Sequence, residues 1–234
     1  CLLVGLSAAK GLCLAPGHKR LLDNTYFDTP ERNLQKARVG LRIRRQDGRH
    51  IQTLKTSGTA VGGLHDRQEW NVDLPGPQLD LSLFPAEALP EALRDGLVQS
   101  LLAPVFTTRF EREAWQLRLP AGGEAELALD LGEILAGGAR APICELELEL
   151  LQGEAPALFA YARELAGLVP MQVANASKAE RGYALAAGEV AGAASLPAIR
   201  LHTAMPVSDG FGRIAGAALG HWQAHELLFL ERVS

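Results

Sequence analysis

Two segments of the chain, PICELELELL and GEAELALD, alternate acidic residues with apolar ones. Their acidic residues are Glu145, Glu147 and Glu149 in the first segment and Glu124, Glu126 and Asp130 in the second. Because successive side chains of a β-strand point to opposite faces, even spacing puts each acidic set on one face. Carboxylate oxygens are the ligands that hard divalent cations such as Mg²⁺ prefer. The two segments therefore predict acidic rows on one face of a sheet.

Basic residues form a comparable row nearer the amino end. Arg42 and Arg44 share a face of GLRIRR, and Lys55 ends the next alternating segment, RHIQTLK. In TTRFERE, Arg112 points to one face and Arg109 to the other. Guanidinium groups grip phosphate oxygens in bidentate pairs. This row is therefore typical of a polyanion site.

Strands with one apolar and one charged side can be arranged in two ways. Either the charges line the lumen of a barrel whose outside is covered by helices, or they face bulk water. A single amphipathic strand favours the solvated arrangement, but the recurrence over several strands favours the lumen. Burying ionised groups is costly unless ligands compensate them. A divalent cation and a triphosphate would do so. Displacement at the terminal phosphorus of triphosphate needs positioning and charge neutralisation rather than a Ser, Cys or His nucleophile.

The order of alternating segments and turn residues predicts an α+β protein with an antiparallel sheet. From Thr25 onward we expect strands at TYFDT, VGLRIRRQ, RHIQTLK and HDRQEWNVDL, with a tight turn at Asp47-Gly48. Glycine-rich turns separate three later strands, FTTRFEREAWQLRLP, GEAELALDLGEIL and PICELELELL. Helices are expected at residues 85–103, 154–168 and 177–187, and residues 1–22 carry weak signals that include a helix fragment. Residues 189–195 are small and polar enough to form a linker.

Bulk composition excludes several classes of protein. With 234 residues and 47% hydrophobic content, the chain is expected to form one main core. A net charge of only −4 does not indicate a nucleic-acid partner, and no apolar run approaches the roughly 20 residues that span a membrane. Three cysteines without CxxC spacing fit reduced thiols. We therefore expect a cytoplasmic protein.

Several motifs in the same order resemble the CYTH family of triphosphate tunnel metalloenzymes, especially its bacterial inorganic triphosphatase branch. The resemblance rests on YFDTP, GLRIR, QTLK and GGLHDRQEW. It continues through FTTRFEREAW, EAELALDLGE, PICELELELL and NASKAERGYAL, over about residues 23–187. It implies that residues 1–188 form an antiparallel eight-stranded β tunnel with flanking helices. In that tunnel, inorganic triphosphate would be hydrolysed to diphosphate and phosphate with Mg²⁺, or Mn²⁺, as the cofactor.

The resemblance also implies roles for individual residues. The expected triphosphate ligands are Arg42, Arg44, Lys55, Arg112, Lys178 and Arg181. The expected metal or water-orienting residues are Glu126, Asp130, Glu145, Glu147 and Glu149, and the catalytic set is Glu145, Glu147 and Lys55. Lys178 and Arg181 are three apart, so they share a helical face that could close a tunnel mouth. The alternative for these two is a helix with ordinary surface charges.

Two further expectations concern the ends of the sequence. The ExExK motif of the family's first strand is absent from CLLVGLSAAKGLCLAPGHKR, so we expect the chain to begin after that strand. Residues 196–234 resemble the opening helix of a CHAD domain, a module that would imply polyphosphate binding.

Other functions remain open at this stage. Thiamine triphosphatases and class IV adenylate cyclases use the same tunnel. The lack of an ExExK strand also leaves room for a noncatalytic module that binds polyphosphate or a nucleotide. A purely structural barrel with solvated charges is the third alternative. In the first two cases the partner is a phosphate chain, and no nucleic acid or membrane partner is expected.

Overall fold

The computed structural model describes residues 13–15, 17–56, 59–61, 64–66, 68–189 and 198–233. The apolar start of the chain, with Cys1, and residues 190–195 of the predicted linker lie outside the described residues.

Antiparallel strands dominate the described part of the chain. The strands are β1 His18–Asp28, β2 Gly40–Gln46, β3 Arg49–Lys55, β4 Thr59–Val61, β5 Leu64–Asp66, β6 Glu69–Leu74, β7 Ala103–Arg118, β8 Glu124–Ala136 and β9 Ala139–Gln152. Seven of them form one sheet in the order β6-β3-β2-β1-β7-β8-β9, so β6 and β9 lie at its edges. The short strands β4 and β5 pair separately. The predicted α+β class with an antiparallel sheet is confirmed.

The turns of the sheet follow the expected turn residues. Asp47 and Gly48, between β2 and β3, have φ values of 51° and 76°. Two successive positive φ values are typical of the type I′ turn, whose twist matches that of the flanking strands. Gly137 and Gly138 connect β8 to β9 with φ values of 54° and 92°. Glycine adopts this region without a steric penalty, which explains its use at the second turn.

Two sequence-based predictions near the ends of strands were wrong. Strand β1 begins at His18 rather than Thr25, so residues 18–22 are extended and not part of a helix fragment. The segment HDRQEWNVDL is not one strand, because β5 ends at Asp66 and β6 begins at Glu69.

The single helix predicted for residues 85–103 was also wrong. The structure has short 3-10 turns at Ala86–Ala88 and Glu91–Leu93, followed by a short helix at Gly96–Ser100. This helix is α2, because a first short helix, α1, lies earlier in the chain at Asn33–Lys36. Pro85 and Pro90 precede the two turns in extended conformation, with ψ values of 141° and 157°. Proline lacks an amide hydrogen and disfavours a helical residue before it, which divides the segment.

Three longer helices follow in the chain: α3 Ala155–Leu168, α4 Lys178–Ala187 and α5 Val207–Val233. The first two confirm the helices predicted for residues 154–168 and 177–187. Within the described residues, no helix is both long and apolar enough to cross a bilayer.

The sheet has an outer and an inner face, each with its own apolar core. On the outer face, Trp115 and Leu127 pack with Tyr161 of α3. A second outer core lies at the other end of the sheet, where Leu41 and Leu54 pack against the 3-10 turns of residues 81–93, which we call the 3-10 segment. The inner face is the side covered by α4. There the core includes Tyr26, Phe106, Phe110, Ile134 and Tyr183.

Helix α4 is held on the inner face by close packing and by a strong amino-terminal cap. Ser177 and Glu180 form a reciprocal capping box, which satisfies amide groups that a helix start otherwise leaves free. Gly182 faces the ring of Phe106, and a Cβ at this position would lie only 2.1 Å from the ring. The absence of a side chain at Gly182 therefore sets how closely α4 approaches β7.

We predict that Gly182→Ala lowers the melting temperature, because the added methyl group overlaps Phe106. Overpacking of this kind typically costs about 1–3 kcal/mol. Gly167→Ala in α3 is the matched control, since a Cβ there meets nothing within 4 Å. The control should be neutral or slightly stabilising, by up to about 1 kcal/mol. Thermal unfolding that is the same for both variants would contradict the close contact.

Candidate functional site

The register of the sheet places predicted site residues side by side on the inner face. Arg112 of β7 lies opposite Asp130 of β8. Asp130 lies in turn opposite Glu145 of β9, and Glu147 follows two residues later on the same face. Lys178 and Arg181 approach these strands from α4. We call Arg112, Asp130, Glu145, Glu147, Lys178 and Arg181 the α4 cluster.

Lys178 lies at the centre of the α4 cluster. Its ammonium nitrogen is 2.8 Å from Asp130 Oδ2, 2.6 Å from Glu145 Oε2 and 2.7 Å from Glu147 Oε1. Only 9% of the Lys178 side chain and none of the Asp130 side chain is exposed. Three carboxylate oxygens therefore converge on one cation in a partly dry environment, where ion pairs are strong.

The two arginines of the α4 cluster complete the pairing. Arg112 donates from Nε and Nη2 to the two oxygens of Asp130, both at 2.7 Å, and it also donates to Glu147. Arg181 donates to Glu145 and to the carbonyl oxygen of Pro142. The bidentate pair fixes the plane of the Arg112 guanidinium. Each carboxylate of the cluster thus contacts at least two cationic groups.

These contacts shift the pKa values of the paired groups. Burial alone would lower the pKa of Lys178, but Glu147, Asp130 and Glu145 outweigh it and raise that pKa. Burial would likewise raise the pKa of Glu147, whereas Lys178 and Arg112 lower it to about 2. Water reaches 47% of the Glu147 side chain and screens part of this attraction. At neutral pH Lys178 and Glu147 are therefore both charged.

A second ion cluster lies on β2, β3 and β6. Lys55 Nζ is 2.6 Å from Glu69 Oε2, and Arg42 Nη2 is 3.7 Å from Glu69 Oε1. We call Arg42, Lys55 and Glu69 the β6 cluster. Lys55 therefore has no described ion pair with Glu145 or Glu147, the residues with which the catalytic prediction grouped it.

Arg44 of β2 contacts Asn24 of the neighbouring strand β1, which in turn contacts Thr108 of β7. Its Nε donates to Asn24 Oδ1 at 2.8 Å, and Asn24 Nδ2 donates to Thr108 Oγ1 at 3.0 Å. Among the described residues, no carboxylate lies within ion-pair distance of Arg44. Burial, and then the charges of Arg42 and Arg112, together lower the pKa of Arg44 to about 10, against a smaller opposing effect of Tyr26 and Glu69. Arg44 remains cationic at neutral pH, partly buried and close to two other guanidinium groups.

The guanidinium group of Arg42 also lacks strong hydrogen-bond acceptors. Its Nη1 donates weakly to the Tyr26 hydroxyl at 3.3 Å. Its Nε is buried and has no hydrogen-bond partner among the described residues. A buried donor without an acceptor is costly, so this nitrogen favours an incoming acceptor.

Two of the predicted metal residues do not join the α4 cluster. Glu126 of β8 lies directly opposite Glu149 of β9. Glu149 is two residues further along β9 than Glu147. No ion pair to either one is present in the described part of the chain. Like charges directly opposite on a sheet repel each other. Their assignment as metal ligands stays a prediction.

The remaining carboxylates have the chemistry that a hard divalent cation requires. Asp130, Glu145 and Glu147 supply three oxygens directed at one point, which Lys178 occupies. With that ammonium between them, no three His, Cys, Asp or Glu side chains among the described residues are arranged to hold a metal ion. Mg²⁺ needs oxygens at about 2.0–2.1 Å, closer than they approach the nitrogen. The donor chemistry of these carboxylates suits a divalent cation, but in this structure the Lys178 ammonium occupies the point between them.

Sequence reasoning missed Glu69 and Asn24. Glu69 lies on the same strand face as Asn71 and Asp73, and its position opposite Lys55 depends on pairing of β3 with β6. Asn24 is a polar residue on the apolar side of β1, between Leu22 and Tyr26, and is fully buried. A buried polar residue in an apolar row was the signal that could have identified it.

The chain belongs to the CYTH family, whose domain model matches residues 7–183. Among curated proteins, it is 38% identical to the inorganic triphosphatase of Haemophilus influenzae over 174 residues, which are 72% of this chain and 47% of that protein. The chain thus spans about half the length of this relative.

Solved structures share the fold. A putative adenylyl cyclase from Hippeastrum, described as having a dominant triphosphatase activity, has a TM-score of 0.50 and 20% identity, over 81% of this chain and 91% of its own. A putative adenylate cyclase from Bacillus halodurans has a TM-score of 0.50 and 22% identity, over 77% and 88%. At this identity the likeness concerns the fold alone.

We predict that Glu69→Gln weakens the acid sensitivity of the fold. Burial raises the pKa of Glu69, but Lys55 and Arg42 outweigh it and the net shift is downward. The stability from Glu69 is therefore full above the ordinary carboxyl pKa of about 4.3 and is lost as pH falls through the lowered value. Between about pH 6 and about pH 3, the melting temperature should fall further for wild type than for Glu69→Gln.

Asp73→Asn is the control for this measurement, because Asp73 is on the same strand and its pair with Arg49 is exposed on both sides. Water screens such a pair, so this variant should follow wild type more closely. Equal pH profiles for wild type and Glu69→Gln would show that the β6 cluster adds nothing to stability.

Proposed function

We propose that this chain binds inorganic triphosphate on the inner face of its sheet and hydrolyses it to diphosphate and phosphate with a divalent cation. The proposed triphosphate ligands are Arg42, Arg44, Lys55, Arg112, Lys178 and Arg181. The proposed cation ligands are Asp130, Glu145 and Glu147, with Glu126 and Glu149 as outlying candidates. Membership of the CYTH family and the inorganic triphosphatase relative support this assignment.

The observation that carries the proposal is the state of Arg44. A partly buried guanidinium beside two others, with a neutral asparagine as its described partner, is an electrostatic cost in the isolated protein. A phosphate chain on the same face removes that cost and supplies acceptors to Arg42 Nε and Arg44 together. The fold therefore favours a polyanion at this position over a neutral ligand.

The chain's own residues explain how the reaction would be organised. The arginine and lysine groups would bind the phosphate oxygens and neutralise charge that develops at the terminal phosphorus. A divalent cation, when bound, supplies charge neutralisation at the phosphate oxygens and orients water. We propose Mg²⁺ for this role, with Mn²⁺ as a substitute.

We predict that Arg44→Ala lowers kcat/KM for triphosphate by roughly 10- to 100-fold, the usual effect of removing a charged hydrogen-bonding group. Phosphate release from triphosphate, measured with Mg²⁺ and with EDTA, tests this. Arg45→Ala is the matched control, because Arg45 is the next residue, points to the outer face and pairs with Asp23 at 3.1 Å. Equal losses in the two variants would contradict an inner-face site.

A noncatalytic polyphosphate-binding module is the second candidate. It is favoured by the pairing of every carboxylate in the α4 cluster with a lysine or arginine, which leaves none directly available to a cation. Binding of triphosphate in EDTA, without phosphate release when Mg²⁺ is added, would identify this function.

Turnover of thiamine triphosphate, or of ATP to cyclic AMP, in preference to triphosphate would assign another tunnel activity.

For residues 196–234 we propose the start of a helical polyphosphate-binding module of the CHAD type. Helix α5 supports this, since Phe211 and Trp222 leave 72% and 62% of their surfaces exposed. Large apolar side chains at that exposure are typical of a helix that packs against other helices.

A further inference from the structure

The α4 cluster contains three carboxylates and three cations, so its groups neutralise one another. Lys178 alone contacts all three carboxylates, and Arg112 binds both oxygens of Asp130. Three of the six proposed triphosphate ligands are therefore bound to acidic side chains within this cluster, and two more, Lys55 and Arg42, pair with Glu69 in the β6 cluster. Arg44 lies on the same inner face, but no described carboxylate is within ion-pair distance of it.

This pairing imposes a competition on each ligand. A polyanion that binds Arg112 or Lys178 must displace Glu147 or Asp130 from them. A divalent cation that binds the carboxylates must displace the Lys178 ammonium. Each displacement releases the groups that the other ligand needs, so binding of one ligand lowers the cost of binding the other. Such coupling is reciprocal by thermodynamic linkage.

The α4 cluster lies at the amino end of helix α4, so the exchange of ion-pair partners is confined to that end. Lys178 is the first residue of α4, whereas Gly182 and Tyr183 pack against the inner core further along. The ion pairs can thus exchange at the amino end while the apolar contacts hold the rest of the helix. Long lysine and arginine side chains move between such partners without a change of backbone.

We propose that the α4 cluster is an ionic latch, closed by its own charge neutrality and opened jointly by a divalent cation and a polyanion. This inference rests on the proposed function, because triphosphate is the polyanion that the inner face would receive. It goes beyond that function in stating that free metal and free triphosphate each meet an occupied site.

The latch predicts that one substitution at a proposed site residue strengthens triphosphate binding, whereas removing an active-site residue usually weakens binding or activity. In EDTA, Glu147→Gln should bind triphosphate at least about fivefold more tightly than wild type, since Arg112 and Lys178 lose a competing anion. Glu124→Gln is the matched control: it changes net charge equally, on the same face, but Glu124 is not a proposed ligand and has no described ion pair with the cluster. Its affinity should change by less than about twofold. Isothermal titration calorimetry measures both.

Four results are distinguishable. A gain confined to Glu147→Gln supports the latch. An equal gain in both variants shows only a general effect of charge and overturns it, as does no gain in Glu147→Gln. If wild type binds no triphosphate with or without Mg²⁺, the proposed function fails instead. Circular dichroism checks that each variant is folded, and Glu145→Gln provides a second variant because Glu145 contacts Lys178 and Arg181.

The metal side of the latch is tested without triphosphate. Lys178→Met should bind Mn²⁺ more tightly than wild type, by at least about fivefold, because the three carboxylates lose their internal cation. Electron paramagnetic resonance of free Mn²⁺ measures this directly. Lys19→Met is the control, since Lys19 pairs with Glu111 on the exposed outer face. Unchanged or weaker Mn²⁺ binding by Lys178→Met would overturn the latch even if triphosphate is hydrolysed.

Discussion

The fully buried carboxylate of Asp130 is the constraint on which the inner face depends. An ionised carboxylate without exposure is stable only when cations and hydrogen bonds compensate it. Arg112 supplies a bidentate pair from the neighbouring strand, and Lys178 supplies an ammonium from α4. The need to compensate one charge therefore joins β7, β8 and α4.

The inner face divides into regions with different electrostatic states. Around α4, acidic and basic side chains neutralise one another, and at the β6 edge Glu69 neutralises Lys55 and approaches Arg42. Between them lies Arg44, whose described hydrogen-bond partner is the neutral Asn24. The proposed binding of a phosphate chain together with a divalent cation would use both the uncompensated centre and the acidic side of this face.

The outer face provides the rigidity that this charged surface needs. Its cores, formed with α3 and with the 3-10 segment, bury large apolar side chains such as Trp115 and Leu54. In the ion pairs of Asp23 with Arg45 and Arg109, more than half of each arginine side chain is exposed, and such pairs contribute little to stability. Stability on this face thus comes mainly from apolar burial, which permits the inner face to carry costly charges.

Local sequence patterns were sufficient to predict much of this molecule. Alternation placed Arg42, Arg44, Arg112, Asp130, Glu145 and Glu147 on common strand faces, because side-chain direction in a strand depends only on parity. Three-residue spacing likewise put Lys178 and Arg181 on one side of α4. Pairing could not be predicted in this way, since register and curvature depend on contacts between distant segments. Only the tertiary structure therefore decided that Glu69 neutralises Lys55, that Glu126 and Glu149 lie outside the α4 cluster, and that Lys178 occupies the point between three carboxylates.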